Sequence, residues 1–332
     1  MPILSTEIFP FDKHWELLMR IGIGRDNYTA PVGVYAVGKP DRKSPVLVTG
    51  NYKLTIDKLR EKLTGLDTWL LVIDTKGVNV WCAAGKGTFS TEELIFRIKK
   101  HKLSSLVDHK SVILPQLSAP GVSAWQVTKY TGFKVEFGPV HSSDIIQYIE
   151  NGNIASEEMR RVSFGLFNRM EVALVETVSA LRFLIPIFIL FASVRLLQGN
   201  MSILGVMVSS IKSTFAYFIA ILIGTLIFPA MLPILPFRMF SAKAAIPGLI
   251  WSFILVVFPE TFGFSRNMFT AASNILLSTS TISFMGLNYT GSTTFTSLSG
   301  VKKETMRAIP LIGSAFILGL GLIIVSAFIA RI

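Results

Sequence analysis

Residues 68–86 read TWLLVIDTKGVNVWCAAGK and decide the fold of the first half of the chain. The apolar, β-branched run over residues 68–74 predicts a buried strand, which Thr75, Lys76 and Gly77 end in a turn. Similar runs predict four further strands, at residues 32–37, 46–49, 112–114 and 133–137. Helical patterns lie between these runs, so the sequence predicts an α/β domain with a mainly parallel sheet.

Helices are predicted wherever apolar residues recur at helical spacing. The clearest patterns cover residues 55–63 and 91–100, and weaker ones cover 121–130 and 143–150. Residues 156–178 predict a linker helix in which Arg160, Arg161 and Arg169 alternate with large apolar side chains. Such a helix fits the inner surface of a membrane and equally an ordinary protein surface.

The second half of the chain is apolar enough to lie in lipid. Five stretches approach the roughly 20 residues that cross a bilayer, at 180–198, 214–236, 244–260, 267–289 and 308–330. If residue 177 is cytosolic, most loop lysines and arginines face the cytoplasm, as the positive-inside rule requires. Residues 1–13 lack the pattern of a secretory signal. We therefore expect a multi-pass protein of the inner (cytoplasmic) membrane, with its first domain in the cytoplasm.

These patterns divide the chain into three parts: a cytosolic domain at 1–155, the amphipathic linker helix at 156–178 and a transmembrane domain at 179–332. The net charge of +11 comes mostly from the apolar part. It therefore indicates loops beside a bilayer, and we expect no nucleic-acid partner.

Several chemistries are excluded by spacing or by residue counts. Gly85, Lys86 and Gly87 suggest a phosphate loop, but Val80 stands where that loop needs a glycine. The four histidines are scattered, with no pair at the spacing of helical metal ligands. An all-cysteine iron–sulfur cluster needs about four thiolates, and the chain has one cysteine. Any low-potential electrons must come from a separate protein.

That cysteine, Cys82, follows the strand at residues 68–74 and lies at the carboxyl edge of the expected sheet. Ligands bind at this edge in open α/β folds. Ala83, Ala84 and Gly85 follow it, and such small residues allow a helix turn to lie flat against a bulky planar ligand. A lone cysteine in an apolar chain is more often an inert buried thiol, so composition alone leaves both interpretations open.

Residues 79–86, NVWCAAGK, resemble the cap-helix motif of the corrinoid protein of anaerobic mercury methylation. Residues 46–55, VLVTGNYKLT, and 114–122, LPQLSAPGV, resemble segments that flank its cofactor. They are also similar to the corrinoid domain of the large subunit of the corrinoid iron–sulfur protein of the acetyl-CoA pathway. The mercury-methylation family joins a Rossmann-like corrinoid-binding domain to about five transmembrane helices, so the resemblance covers the whole chain.

The resemblance implies that Cys82 is the catalytic residue and binds the cobalt of a cobalamin-type corrinoid from its lower face. It also implies a set of cofactor-binding residues: Asn79, Val80, Trp81, Cys82, Ala83, Ala84, Gly85, Lys86, Thr49, Gly50, Asn51, Gln116 and Gly121. A purely structural role is open for several: capping for Asn79, core packing for Trp81, and a tight turn for Thr49, Gly50 and Asn51.

The implied reaction is transfer of a methyl group to inorganic Hg(II), which gives methylmercury under anaerobic conditions. The implied partners are a ferredoxin-like protein with iron–sulfur clusters as electron donor and methyltetrahydrofolate as methyl donor. Two alternatives remain. One is a membrane-bound methyl carrier of one-carbon metabolism; the other is a transporter with a cytosolic regulatory domain, which the scarcity of acidic residues in the spans disfavours.

Overall fold

The computed structural model describes residues 1–199, 201–293 and 296–329, which form two units. Unit 1 contains Met1–Met19 and Ile23–Val162. Unit 2 contains Arg20–Gly22 and the described residues from Ser163 onward.

Unit 1 is built on one five-stranded sheet. Its strands are β1 (Gly33–Val37), β2 (Val46–Gly50), β3 (Thr68–Ile73), β4 (Ser111–Leu114) and β5 (Lys134–Phe137). They lie in the order β1-β3-β2-β4-β5; the last four run parallel, and β1 is antiparallel to β3. The predicted α/β domain with a mainly parallel sheet is confirmed. Consecutive residues of its inner strands are mostly apolar, as expected for strands that helices cover on both faces.

The helices of unit 1 lie before, between and after its strands. They are α1 (Pro10–Arg20), α2 (Lys53–Lys62), α3 (Val80–Lys86), α4 (Thr91–Lys100), α5 (Leu103–Leu106), α6 (Ala124–Thr131), α7 (Ile145–Glu150) and α8 (Glu157–Arg160). Alternate residues of β3 enter different cores. Leu71 and Ile73 pack with the α3 and α4 side, and Leu70 and Val72 pack with α2 and α7.

Two predicted helices of unit 1 start later than expected. The helix expected at 121–130 begins at Ala124, because Gln116–Gly121 forms a 3-10 turn that contains Pro120. The helix expected at 143–150 begins at Ile145, after the 3-10 turn Ser142–Asp144.

The linker helix expected over residues 156–178 is wrong. Ser156 caps the short helix α8, and Met159 of that helix is buried in unit 1. The chain then leaves the helical conformation, and α9 (Leu166–Leu181) starts after Gly165, which is extended. Glycine is a poor helix former, so this position separates the two helices. Arg169 is 8% exposed, so it does not lie on a solvent-facing surface as the linker prediction assumed.

Unit 2 is helical in the part that the structure describes. After α9 come α10 (Leu184–Gln198), α11 (Ile203–Leu222), α12 (Phe228–Met231), α13 (Phe240–Val257), α14 (Met268–Tyr289) and α15 (Leu298–Ile329). A π-helical segment, Ile223–Ile227, joins α11 to α12.

Three helices of unit 2 are long and apolar enough to cross a membrane: Ile203–Met231, Phe240–Val257 and Ser299–Ile329. A fourth span results only if α9 and α10, which meet at a bend of 40°, cross as one. The predicted count of five spans is therefore not confirmed. The first expected span is interrupted by the break between α9 and α10. The fourth is covered by α14, whose serine and threonine residues lower its hydropathy.

Candidate functional site

Cys82 lies in the first turn of α3, which follows β3 at the carboxyl edge of the parallel sheet. The helix starts after Asn79, whose side-chain Oδ1 accepts a hydrogen bond from the Cys82 backbone N–H at 2.9 Å. Such a cap satisfies one of the N–H groups that the start of a helix leaves free. The helix ends at Gly87, with a φ of 76°. The predicted capping role of Asn79 is confirmed.

The two sides of α3 differ in burial. Val80, Ala83 and Ala84 are buried and belong to the core beside β3. Cys82 is exposed, and Trp81, at 38%, is partly so. The interpretation of Cys82 as a buried, inert thiol is therefore wrong. Packing of the inner side fixes the helix and leaves the thiol facing outward.

Cys82 and Gly85 lie next to each other on the outer side of α3, and we call this pair the Cys82 ledge. Residues three apart on a helix are neighbours on its surface. A Cβ atom placed on Gly85 would meet no atom within 4 Å. The ledge therefore offers one sulfur atom next to a position without a side chain, with open space above it.

Gly121 brings the 3-10 turn Gln116–Gly121 close to α3. A Cβ atom on Gly121 would lie 2.2 Å from the Phe89 carbonyl oxygen and 3.0 Å from Ala84 Cα. Both neighbours are backbone atoms, which cannot move aside without moving α3 or the loop after it. Gly121 therefore sets the position of α3 from its inner side.

Asn51, directly after β2, holds the loop between β3 and α3. Its Oδ1 accepts hydrogen bonds from the Thr75 backbone N–H at 2.9 Å, the Thr75 hydroxyl at 2.9 Å and the Gly77 N–H at 3.1 Å. Its Nδ2 donates to Asp74 Oδ1 at 3.3 Å. Asn51 is 7% exposed. Its side chain positions the loop that leads to Cys82.

The start of this loop is also fixed electrostatically. The Lys76 ammonium donates to Asp74 Oδ2 at 2.7 Å. That hydrogen bond holds the pKa of the Asp74 carboxyl below its usual range. Asp74 therefore stays ionised near neutral pH and keeps its bonds to Lys76 and Asn51.

The remaining expected residues lie in different surroundings. A Cβ on Gly50 would lie 2.7 Å from Thr75 Cγ2, so glycine is needed for close packing there. Thr49 is buried, and strand alternation directs its side chain to the face of the sheet away from α3. Gln116 Oε1 accepts a hydrogen bond from Arg160 at 2.6 Å. The structure thus brings residues 79–86 together with Gly121, whereas Thr49 and Gln116 have other neighbours.

Sequence reasoning placed Thr75 in a turn but did not find its two bonds to Asn51, and it missed Arg160. Arg160 lies 44 residues from Gln116 in the chain, and no local pattern indicates such a pairing.

Replacing Asn51 by alanine is expected to destabilise unit 1 by about 1–3 kcal/mol, because the backbone N–H groups of Thr75 and Gly77 lose their buried acceptor. Hydrogen exchange should rise in residues 74–79. The variant Asp74→Asn leaves Asn51 and its bonds from the Thr75 and Gly77 N–H groups in place, so its exchange should increase less. Unchanged exchange in Asn51→Ala would show that the amide does not hold the loop.

Within residues 1–199, 201–293 and 296–329, no three or more His, Cys, Asp or Glu side chains cluster as ligands for a metal ion. Among the described residues, Cys82 is therefore not part of a cluster of metal-ligating side chains, and it could supply one ligand to a metal. A metal held in a macrocycle needs only axial ligands from the protein, as haem proteins illustrate.

Comparison with known proteins defines the class of the N-terminal region. Residues 8–149 match the family model described as CO dehydrogenase/acetyl-CoA synthase delta subunit. This span covers the sheet and α3. The N-terminal region therefore matches a family of corrinoid proteins, and the coarser part of the expected resemblance is confirmed.

The individual relatives are gamma subunits of the acetyl-CoA decarbonylase/synthase complex. The subunit of Methanopyrus kandleri is 34% identical over 120 residues, which cover 36% of this chain and 26% of the relative. The Archaeoglobus fulgidus subunit is 32% identical over 120 residues, 36% of this chain and 25% of the relative. The Methanothermobacter thermautotrophicus subunit is 32% identical over 152 residues, which cover 43% of this chain and 32% of the relative. This chain thus spans about a quarter to a third of these relatives, and mercury methylation is not specifically indicated by them.

Proposed function

We propose that this chain is a membrane-anchored, corrinoid-dependent methyltransferase that passes a methyl group to Hg(II), with Cys82 as the lower axial ligand of the corrinoid cobalt. The observation that carries the proposal is the Cys82 ledge. It exposes a thiol beside open space at the carboxyl edge of the sheet, in a region that matches a corrinoid protein family.

The residues present fit a corrinoid. Cys82 would supply the ligand atom, and the missing side chain at Gly85 leaves room for a planar ring. Trp81 is exposed enough to border that ring, and Asn79 fixes the turn that carries the thiol. When bound, the cofactor supplies a cobalt centre that accepts and releases a methyl group.

The position of Cys82 also fits a role as metal ligand. Its backbone N–H donates to the Asn79 side chain, so the capped start of α3 holds residue 82 in place. The chain therefore presents a soft, electron-donating ligand whose direction is set by a capped helix.

Such a ligand favours Hg(II) as the methyl acceptor. Thiolate is the soft ligand that protein side chains offer to metals. Cys82 would donate electron density to the corrinoid that it holds, and the chemistry that this group would supply is transfer of a methyl group together with its bonding electrons. Hg(II), a soft and electron-poor ion, can accept a group released in that way. Methyltetrahydrofolate as methyl donor and a cytoplasmic location of unit 1 are further parts of the proposal.

Methyl carriage in one-carbon metabolism is the second candidate, and the comparisons favour it more directly. The relatives are subunits of the acetyl-CoA decarbonylase/synthase complex. The matches to those relatives cover only the N-terminal region of this chain. The apolar helices of unit 2 lie outside these matches.

The two candidates differ in the product. Nanodiscs that contain the full chain would be loaded with corrinoid, reduced with an iron–sulfur ferredoxin and supplied with methyltetrahydrofolate and Hg(II). We expect methylmercury, and none from nanodiscs without the chain. A loaded, reduced preparation that takes up the methyl group but forms no methylmercury would support the carrier instead.

A further inference from the structure

The helix α1 turns its acidic residues toward the protein and large apolar side chains outward. The side chains of Asp12 and Glu16 are only 14% and 23% exposed. Phe11 and Leu17, by contrast, are 69% and 59% exposed. A helix on the surface of a soluble protein normally has the opposite arrangement, with its charged residues in water. The distribution indicates that something other than bulk water covers the outer side of α1.

Ion pairs fix the inner side of α1 against α2. Asp12 Oδ2 pairs with Nη2 of the buried Arg60 at 2.7 Å. Glu16 Oε1 pairs with Lys58 Nζ at 2.8 Å. Turning the helix to bury its outer apolar side chains would break both pairs, and a buried arginine that loses its partner is costly. The outward direction of the apolar side chains is therefore built into the packing of α1 on α2.

The outer side of α1 forms one continuous surface. Residues three, four or seven apart are neighbours on a helix, which places Phe11, His14, Leu17 and Leu18 together. We call these four residues the outer α1 face. Lys13, four residues before Leu17, borders it and is exposed. A lysine in that position can lay its methylene groups along an apolar layer and keep its ammonium group in water.

The end of α1 indicates what covers this face. The segment Arg20–Gly22 belongs to unit 2. There Arg20 forms an ion pair with Glu171 of α9, and a Cβ on Gly22 would lie 3.5 Å from Val175 Cγ1 of the same helix. Taken as one bent span, α9 and α10 are long and apolar enough to cross a membrane. The helix α1 thus ends against a helix that leads into the apolar part of the chain.

We infer that α1 lies in the surface layer of the membrane, with the outer α1 face among the acyl chains and Lys13 among the lipid phosphates. Helices of this kind insert their apolar side by about 5–10 Å. The partner is a lipid surface. The inference goes beyond the proposed reaction and rests only on the membrane anchoring in the proposed function. It is independent of the corrinoid and of Hg(II).

The test uses spin labels on single cysteines of the full chain in nanodiscs of phosphatidylcholine and phosphatidylglycerol. Cys82→Ala removes the one native cysteine, and Phe11→Cys or Leu17→Cys then receives a nitroxide. Electron paramagnetic resonance compares its collisions with oxygen, which concentrates in lipid, and with a water-soluble nickel complex. The oxygen-to-nickel ratio at both positions should be several-fold higher than at Phe96→Cys, a control position on α4 that is 51% exposed.

A label at Ile317→Cys supplies the lipid reference, because Ile317 is 71% exposed on the candidate span Ser299–Ile329. Ratios at positions 11 and 17 that match position 96 would place α1 in water and overturn the inference. Few collisions with either reagent would place a protein against α1 and overturn it as well. A water-like ratio at position 317 would contradict the membrane anchoring itself, so the two failures are distinguishable.

A substitution at Leu17 tests whether apolar contact holds α1 in place. In the chain labelled at position 11, Leu17→Glu should lower the oxygen-to-nickel ratio toward that at position 96, because a carboxylate is costly to transfer out of water. The matched control Leu17→Ile keeps the apolar side chain and should leave the ratio unchanged. Leu17 is exposed, so neither change disturbs the core. Equal ratios in the two variants would contradict us.

Discussion

Replacing Gly85 by leucine is expected to weaken corrinoid binding about tenfold or more, because the leucine side chain would fill space that the cofactor needs. Unit 1 should not lose stability. A Cβ at this position meets no protein atom within 4 Å, and leucine is a better helix former than glycine by roughly 1 kcal/mol. Corrinoid titration and thermal unfolding of the same preparation separate the two effects.

Gly121→Ala is the contrasting variant. Its Cβ would meet the Phe89 carbonyl oxygen at 2.2 Å, so both stability and corrinoid binding should fall. If Gly85→Leu binds corrinoid as tightly as the unaltered chain, the space above the Cys82 ledge is not the cofactor site.

Replacing Cys82 by alanine is expected to lower methyl transfer to Hg(II) by at least about 100-fold, since a metal ligand matters more than the outer-shell groups whose loss costs 10–100-fold. Alanine keeps the helix and its cap, because the hydrogen bond to Asn79 comes from the backbone of residue 82. Corrinoid affinity should fall less than the rate. The measurement is the initial rate of methylmercury formation at saturating corrinoid.

Trp81→Ala serves as the neighbouring control, because it alters the same exposed turn and keeps the thiol. It should retain most of the rate if the tryptophan only borders the ring. If Cys82→Ala keeps the full rate, the Cys82 thiolate takes no part in the reaction. The protein would then carry methyl groups on a corrinoid that has no cysteine ligand.

The sheet and the start of α3 could be predicted from the sequence because both depend on local patterns. β-branched runs between turn residues define β1 to β5, and Asn79 directly before an apolar turn is a cap. The exposure of Cys82 could not be predicted in this way. It depends on which side of α3 packs against the core, and therefore on contacts with β3 and on Gly121.

Long-range contacts explain the other differences. Gln116 accepts a hydrogen bond from Arg160 of α8, a pairing that no local pattern indicates, and its contact with the cofactor stays a prediction. Asn51 was expected to contact the cofactor or to form a turn, and it bonds to Thr75, 24 residues away. In unit 2, hydropathy alone did not show the break between α9 and α10, because apolar residues continue on both sides of it.

The most direct test of the account is the ultraviolet–visible and electron paramagnetic resonance spectrum of the full chain, purified without oxygen and reconstituted with cobalamin, beside Cys82→Ala. Ligation by Cys82 predicts thiolate-to-cobalt absorption that the alanine variant lacks, and a Co(II) resonance signal that differs in shape from that of the alanine variant. Identical spectra from the two proteins would contradict cobalt ligation by Cys82 and with it the central claim.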